Sequence, residues 1–177
     1  MADRSRPGPA AALRSGGHVA GRWADGSPGD VRYEPLNPDL GDALAELFAA
    51  LRAAGAERWF HPHPLTRDEA ERLCAYDGGD VYAVLVDGTR VVAYGMLRGW
   101  DAGYEIPSLG IAVHPAERGQ GVGRTLMERL HEEAQARGAT QVRLTVYADN
   151  EPARRLYEEL GYELELKGDD LVGYLAL

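Results

Sequence analysis

Residues 113–126 read VHPAERGQGVGRTL: the end of an apolar run, a short polar turn carrying glycine at 119, 121 and 123, and then apolar residues at helical spacing. That order places alternating glycines where a chain leaves a strand and enters a helix. Amides at a helix start have no internal acceptor, and the helix dipole adds partial positive charge there, so such a turn suits an anion. Glycine lets a ligand approach those amides closely, and Arg118 and Arg124 can add charge-assisted donors. Two common phosphate-binding patterns do not fit. A nucleotide P-loop needs Gly-Lys-Ser/Thr, whereas this stretch has Gly123-Arg124-Thr125. The dinucleotide fingerprint Gly-x-Gly-x-x-Gly fails in both registers, which end in Arg124 and Leu126. The glycines alone would serve equally well for a sharp turn.

The pattern on either side of this turn predicts a mixed sheet with helices. Val31 to Leu36 reads as a strand, and Leu40, Leu44, Leu47, Phe48 and Leu51 recur at helical spacing up to Gly55. Thr66 followed by Glu69 forms a capping box for a second helix, whose stripe is Ala70, Leu73 and Cys74. Val81 to Val86 and Arg90 to Arg98 form a hairpin about Asp87-Gly88. The run from Tyr104 to Val113 reads as a strand with a bulge or edge position at Pro107, which has no N–H to give. Val122, Leu126, Leu130 and Ala134 make a helix ending at Gly138, and Val142, Leu144 and Val146 alternate as a strand. Pro152 to Leu160 makes a helix capped by Asn150, and a hairpin of 162–166 with 171–175 closes the chain.

The chain of 177 residues has one domain's worth of apolar sequence, with 45% hydrophobic and 27% charged residues. Residues 1–30 lack period and bulky apolar content and read as a flexible tail, leaving 31–177 as the single domain. The absence of a membrane-length or signal-like apolar run leads to the expectation of a cytoplasmic chain. One cysteine, Cys74, cannot make an internal disulfide. A net charge of −9 opposes free nucleic acid as a partner.

Two segments together carry a family resemblance. His114 to Leu126 contains Arg118-x-x-Gly121-x-Gly123, which resembles the acyl-CoA motif of the GNAT acetyltransferases. Asn150 to Tyr162 is similar to that family's later Asn-x-x-Ala-x-x-x-Tyr-x-x-x-Gly-Phe element, with Tyr162 in place of the final Phe. The resemblance spans about residues 31–177. It implies an α/β (α+β) GNAT-like fold, a central splayed mixed β-sheet flanked by about four helices. It also implies N-acetylation, with acetyl-CoA as cosubstrate held in the gap between the strands before and after the motif. Strands that part leave backbone groups free, and the pantetheine amides can replace the lost partner.

On that basis the expected acyl-CoA contacts are the strand residues Leu109, Ile111, Ala112 and Val113, with Gly110 and Ala112 small enough to admit the thioester. The turn residues Arg118, Gly119, Gln120, Gly121, Val122, Gly123 and Arg124 complete the set with Asn150 and Tyr157. Tyr157 holds the family's general-acid position, where a phenol can protonate the departing thiolate, and Glu105 is the candidate base for the amine proton. Tyr157 could also simply pack, Asn150 could simply cap its helix, and Glu105 could be a solvated carboxylate. His114 is the runner-up base. His61 and His63 lack a third ligand, so no metal is expected. Trp59, Phe60, Tyr33, Tyr104 and Trp100 are candidates to shape the acceptor site. The expected acceptor is a small-molecule primary amine, cationic given the acidic chain. Beside this stand a longer acyl-CoA, an acyl carrier protein or aminoacyl-tRNA as donor, and a noncatalytic CoA-binding module. A homodimer follows from the resemblance alone.

Overall fold

A computed structural model describes residues 17–22 and 28–177. Among these, eight strands form one sheet in the order β1-β2-β3-β4-β5-β6-β8-β7. The strands are β1 (Gly17–Arg22), β2 (Pro28–Pro35), β3 (Val81–Asp87), β4 (Arg90–Arg98), β5 (Ser108–Val113), β6 (Gln141–Tyr147), β7 (Glu163–Lys167) and β8 (Asp170–Ala176). The helices are α1 (Gly41–Ala53), α2 (Arg67–Cys74), α3 (Val122–Ala136) and α4 (Glu151–Glu159). Every neighbouring pair is antiparallel except β5 with β6, which is parallel. The sheet is therefore mixed, as the pattern and the resemblance both implied.

Within the stretch expected to be a tail, residues 17–22 and 28–30 form strands, with Val19 paired to Val31 and Gly17 to Tyr33. The remaining positions of that stretch, 1–16 and 23–27, lie outside the described residues.

Helices cover both faces of the central strands. Leu126, Met127, Leu130 and Ala134 of α3 bury against Ala83, Leu85, Ala93, Leu97 and Leu109, together with Val142, Leu144 and Val146. On the other face, Leu44, Leu47, Phe48 and Leu51 of α1 and Leu73 of α2 bury against Val84, Val86, Tyr94, Met96 and Ala112. Covering on both sides explains why β3 and β4 read as nearly continuous apolar runs instead of alternating ones. Each fully buried leucine contributes about 1.5–3 kcal/mol through area removed from water. At Gly95 a side chain would run into Leu130 (2.7 Å) and Leu126 (3.2 Å), so this glycine sets how closely α3 lies on β4.

Two local expectations are corrected. Register along β4 and β5 is unbroken from Arg98 opposite Ser108 to Ala93 opposite Val113, so Pro107 makes no bulge. The irregularity lies on β4, where Leu85 faces Ala93 and Val86 faces Val91, leaving Val92 as the extra residue. The Val92 carbonyl accepts from His114 N at 2.9 Å, which ties the bulge to the end of β5. The strand also starts later than expected, at Ser108, because residues 99–107 turn as a loop with Gly99 and Gly103 at positive φ.

Candidate active site

β5 and β6 share one rung, Ser108 with Arg143, and the Arg143 N–H donates to the Pro107 carbonyl at 3.0 Å. Beyond that rung the strands part. Strand parity shows which groups are left facing the gap. His114 N bonds to β4 and the Pro107 carbonyl to β6, so alternate residues point to alternate sides. The Leu109 carbonyl and the amide groups of Ile111 and Val113 therefore face the gap, while Ala112 presents its amide to β4. The Ala112 side chain is buried with the α1/α2 core. Gly110 is small for a different reason than admitting a thioester alone: a Cβ there would lie 2.5 Å from Met96 Cε. The gap forms a cleft of about 1750 Å³ bordered by β5, β6, the turn before α3, and α4.

At the wide end of the gap stands the glycine turn. Gly119 and Gly121 have φ of 74° and 82°, and a Cβ at either would meet nothing within 4 Å, so the space before the turn is open. The first bond of α3 runs from Thr125 N to Gly121 O, which leaves the amides of Val122, Gly123 and Arg124 without helical acceptors. No side chain caps this end and no acid sits in its first turn. The two features that most often consume a helix N-terminus are missing, and the site meets the requirements of an anion cradle.

Gly123 serves packing: a Cβ there would press on Leu156 at 3.3 Å and on Val113 and Ile111 just beyond. Arg118 is exposed beside the turn, and Arg124 is ion-paired with Glu159. The Gln120 side chain turns back on its own loop, donating to the Ala116 carbonyl at 2.8 Å.

Tyr157 lies on α4 facing the cleft and is buried. Burial alone pushes its phenol up to about 12, with no hydrogen bond to a described group contributing. It thus stays protonated at neutral pH. Asn150 caps α4, its Oδ1 accepting from Ala153 N at 3.4 Å, and it also borders the cleft. Glu105 lies in the loop before β5 rather than on the strand, exposed at the cleft's rim.

The segment between α1 and α2 reaches across the parted strands. Arg58 pairs with Asp149 at 2.8 Å and stacks over Trp59, His61 bonds the Tyr147 hydroxyl, and the Trp59 and Tyr147 rings lie 5.8 Å apart. His63 points inward to the Tyr94 hydroxyl at 3.0 Å, and burial holds its imidazole below the ordinary value. Trp59, Phe60 and Tyr104 line the cleft. Tyr33 and Trp100 pack instead on the α3 side of the sheet, and His114 is occupied in capping its own turn by accepting from Ala116 N. Among the described residues no group of three His, Cys, Asp or Glu side chains converges on one point.

The acetyltransferase (GNAT) family matches residues 44–162, from α1 through the end of α4. The chain belongs to the GNAT acetyltransferase family. Its GNAT fold is shared with several solved structures. The GNAT domain of S. lividans PAT superposes with a TM-score of 0.77 at 18% identity, covering 92% of this chain and 97% of that one. The PaiA N-acetyltransferase of Thermoplasma acidophilum, solved with coenzyme A, gives 0.70 at 12% identity over 83% and 99%. The ribosomal-protein-S5-alanine acetyltransferase of Vibrio fischeri gives 0.69 at 14% over 82% and 92%.

Several cleft residues were not singled out from the sequence: Arg98, Arg143, Tyr147, Asp149 and Tyr174. The alternation of Val142, Leu144 and Val146 already put Arg143, Thr145 and Tyr147 on the opposite face. Nothing local said that this face borders a gap.

Proposed function

We propose that this chain transfers an acetyl group from acetyl-CoA to the primary amine of a small molecule by direct attack. One observation carries the reading: β5 and β6 separate after a single rung, and the gap runs to a helix start whose amides are uncapped. The gap supplies a parted strand edge for amides of an extended cofactor arm, and the turn supplies donors for its pyrophosphate. The Leu109 carbonyl and the backbone of Ile111 and Val113 would hold the arm. The amides of Gly119, Gln120, Gly121, Val122, Gly123 and Arg124, with the Arg118 side chain, would hold the phosphates. Ala112 and Asn150 border the arm from the two sides.

Acetyl-CoA supplies an acetyl carbon activated as a thioester. An uncharged amine forms the new C–N bond as the C–S bond breaks, and two proton movements complete the exchange. Glu105, at the rim, collects the proton from the incoming amine through water. Tyr157, kept neutral by burial, gives its proton to the departing sulfur and recovers one from solvent. The acid and the base thus come from different elements, the phenol from α4 and the carboxylate from the loop before β5. A cytoplasmic setting belongs to the same reading, and no described helix is long and apolar enough to cross a membrane.

The test is release of free thiol from acetyl-CoA with an amine panel, alongside thermal melting with acetyl-CoA. Amine-dependent thiol release and a raised Tm are expected. Absence of any Tm shift at millimolar acetyl-CoA overturns the cofactor assignment, and a shift without release for any amine favours a noncatalytic CoA-binding module.

A further inference from the structure

Four side chains form a row across the sheet at the point where β5 and β6 part. Arg98 is opposite Ser108, Ser108 is opposite Arg143, and Arg143 is opposite Tyr174. Cross-strand partners share a face, and their chain neighbours Leu97, Leu109, Val142 and Leu144 all pack into the α3 core. The row therefore faces away from α3, and each of its members lines the cleft.

Arg143 differs from the other cleft arginines. Its Nε is buried with no hydrogen-bond partner. Among the described residues its guanidinium, like those of Arg98 and Arg118, has no carboxylate within 4.0 Å, whereas Arg124 pairs with Glu159 and Arg155 with Glu151; the buried Nε is what sets Arg143 apart. Arg98 donates to the Pro62 carbonyl at 3.1 Å. Of the acids around that edge, Glu163 continues the row opposite Tyr174 but is exposed on the outer strand, and Asp80 and Asp101 are engaged. Asp80 accepts from Gly99 N and Asp101 N, and Asp101 accepts from Gly79 N and the Tyr76 hydroxyl. A half-buried cation whose terminal donors meet no carboxylate among the described residues is suited to pair with an anionic ligand group. With Nε enclosed, the guanidinium offers its two terminal nitrogens side by side, an end-on fork that matches a carboxylate.

We propose that the acceptor is an amine that also carries a carboxylate, an amino acid in chemical class, with Arg143 binding the carboxylate and the Ser108 and Tyr174 hydroxyls beside it. This rests on the acetyl-transfer reading and narrows its substrate. Anchoring the carboxylate on β6 at the last shared rung places an amine a few bonds away at the opening of the gap, where the thioester would lie. Recognition of the carboxylate also explains how a chain of net charge −9 can select an acceptor that is not simply cationic.

The experiment compares the twenty L-amino acids, their methyl esters and phosphoethanolamine as acceptors with acetyl-CoA, in the wild type and in Arg143→Met. The wild type is expected to favour at least one free amino acid over its ester by about ten- to a hundredfold in kcat/KM, the range set by a charge-assisted hydrogen bond. Arg143→Met is expected to collapse that ratio toward one through KM while retaining the Tm shift with acetyl-CoA, which reports an intact fold and cofactor site. Arg143→Lys, which keeps charge but loses the fork, should fall between. Esters used as well as acids, preference for phosphoethanolamine, or a ratio unchanged in Arg143→Met would each overturn the proposal. If no acceptor reacts, calorimetric titration of the amino acids and esters into the protein with CoA decides it, and equal or absent heats overturn it. Loss of the acetyl-CoA Tm shift in the wild type would instead sink the acetyl-transfer reading itself.

Discussion

Tyr157 and Gly121 show how single residues come to matter through their surroundings. A tyrosine on an exposed helix face would be an ordinary phenol, but on α4 it is enclosed against the cleft and burial pushes it up to about 12. Tyr157→Phe is expected to lower kcat by about a hundredfold, the lower range for loss of a proton donor, with little change in CoA affinity. Steady-state kinetics with a CoA titration will check this, and equal turnover would remove its role as acid. Gly121 sits at φ 82° with open space before it, so its lack of a side chain serves backbone conformation and access rather than packing. Gly121→Val should cost about 1–3 kcal/mol of stability through the forced left-handed backbone. It should also weaken CoA binding, which calorimetry would measure. The importance of both residues was legible, because each stands at a fixed offset in a motif. Gln120 was not: its side chain turns onto Ala116, a local bond that no motif specifies.

Among the elements, α3 has two duties that constrain each other. Its apolar stripe fixes it on β4 over Gly95, and that seating aims its uncapped start into the gap. Gly95→Val would press into Leu130 and Leu126 and is expected to cost about 1–3 kcal/mol by overpacking, read by urea unfolding. An unchanged midpoint would show that α3 shifts freely and that its seating does not position the turn. The strand elements were readable from period and turn chemistry, as at Asp87-Gly88, where Gly88 takes φ 60°. The position of the bulge was not. A missing N–H at Pro107 is compatible with a bulge or an edge position, and Pro107 instead stands just before β5, where no ladder bond is asked of its nitrogen. Its carbonyl is what the sheet uses, accepting from Arg143, while the extra residue lies on β4 at Val92.

At the scale of the whole molecule, binding and protons should both move stability. With acetyl-CoA at about a hundredfold over Kd, linkage adds about 2.7 kcal/mol, a Tm rise of about 5–10 °C for a chain of this size. For pH, burial holds the His63 and His131 imidazoles below the ordinary value of 6.5. As pH falls, the unfolded chain therefore takes up protons before the folded one. The stability they contribute is present above about 6.5 and is lost as the pH drops from there toward the lower folded values. Urea unfolding should show lower stability at about pH 5.5 than at about 7.5, and His131→Gln should flatten part of that slope. The Glu69 carboxyl, held low by Arg72, adds its own loss only further down, below its ordinary 4.5.

From residue 31 onward the sequence by itself determined the order of strands and helices, the anion-ready turn at 118–124, and the pairing of that turn with the Asn150–Tyr162 segment, while β1, within the stretch read as a tail, was not legible. These rest on local causes: side-chain period, φ preference, and amides that lie at the start of any helix. Only the tertiary structure decided that β5 and β6 part after Ser108 and Arg143, that the segment after α1 crosses to Tyr147 and Asp149, and that Arg143 meets no carboxylate among the described residues. Those facts depend on which distant segments become neighbours, and burial, pairing and desolvation are properties of neighbours rather than of residues.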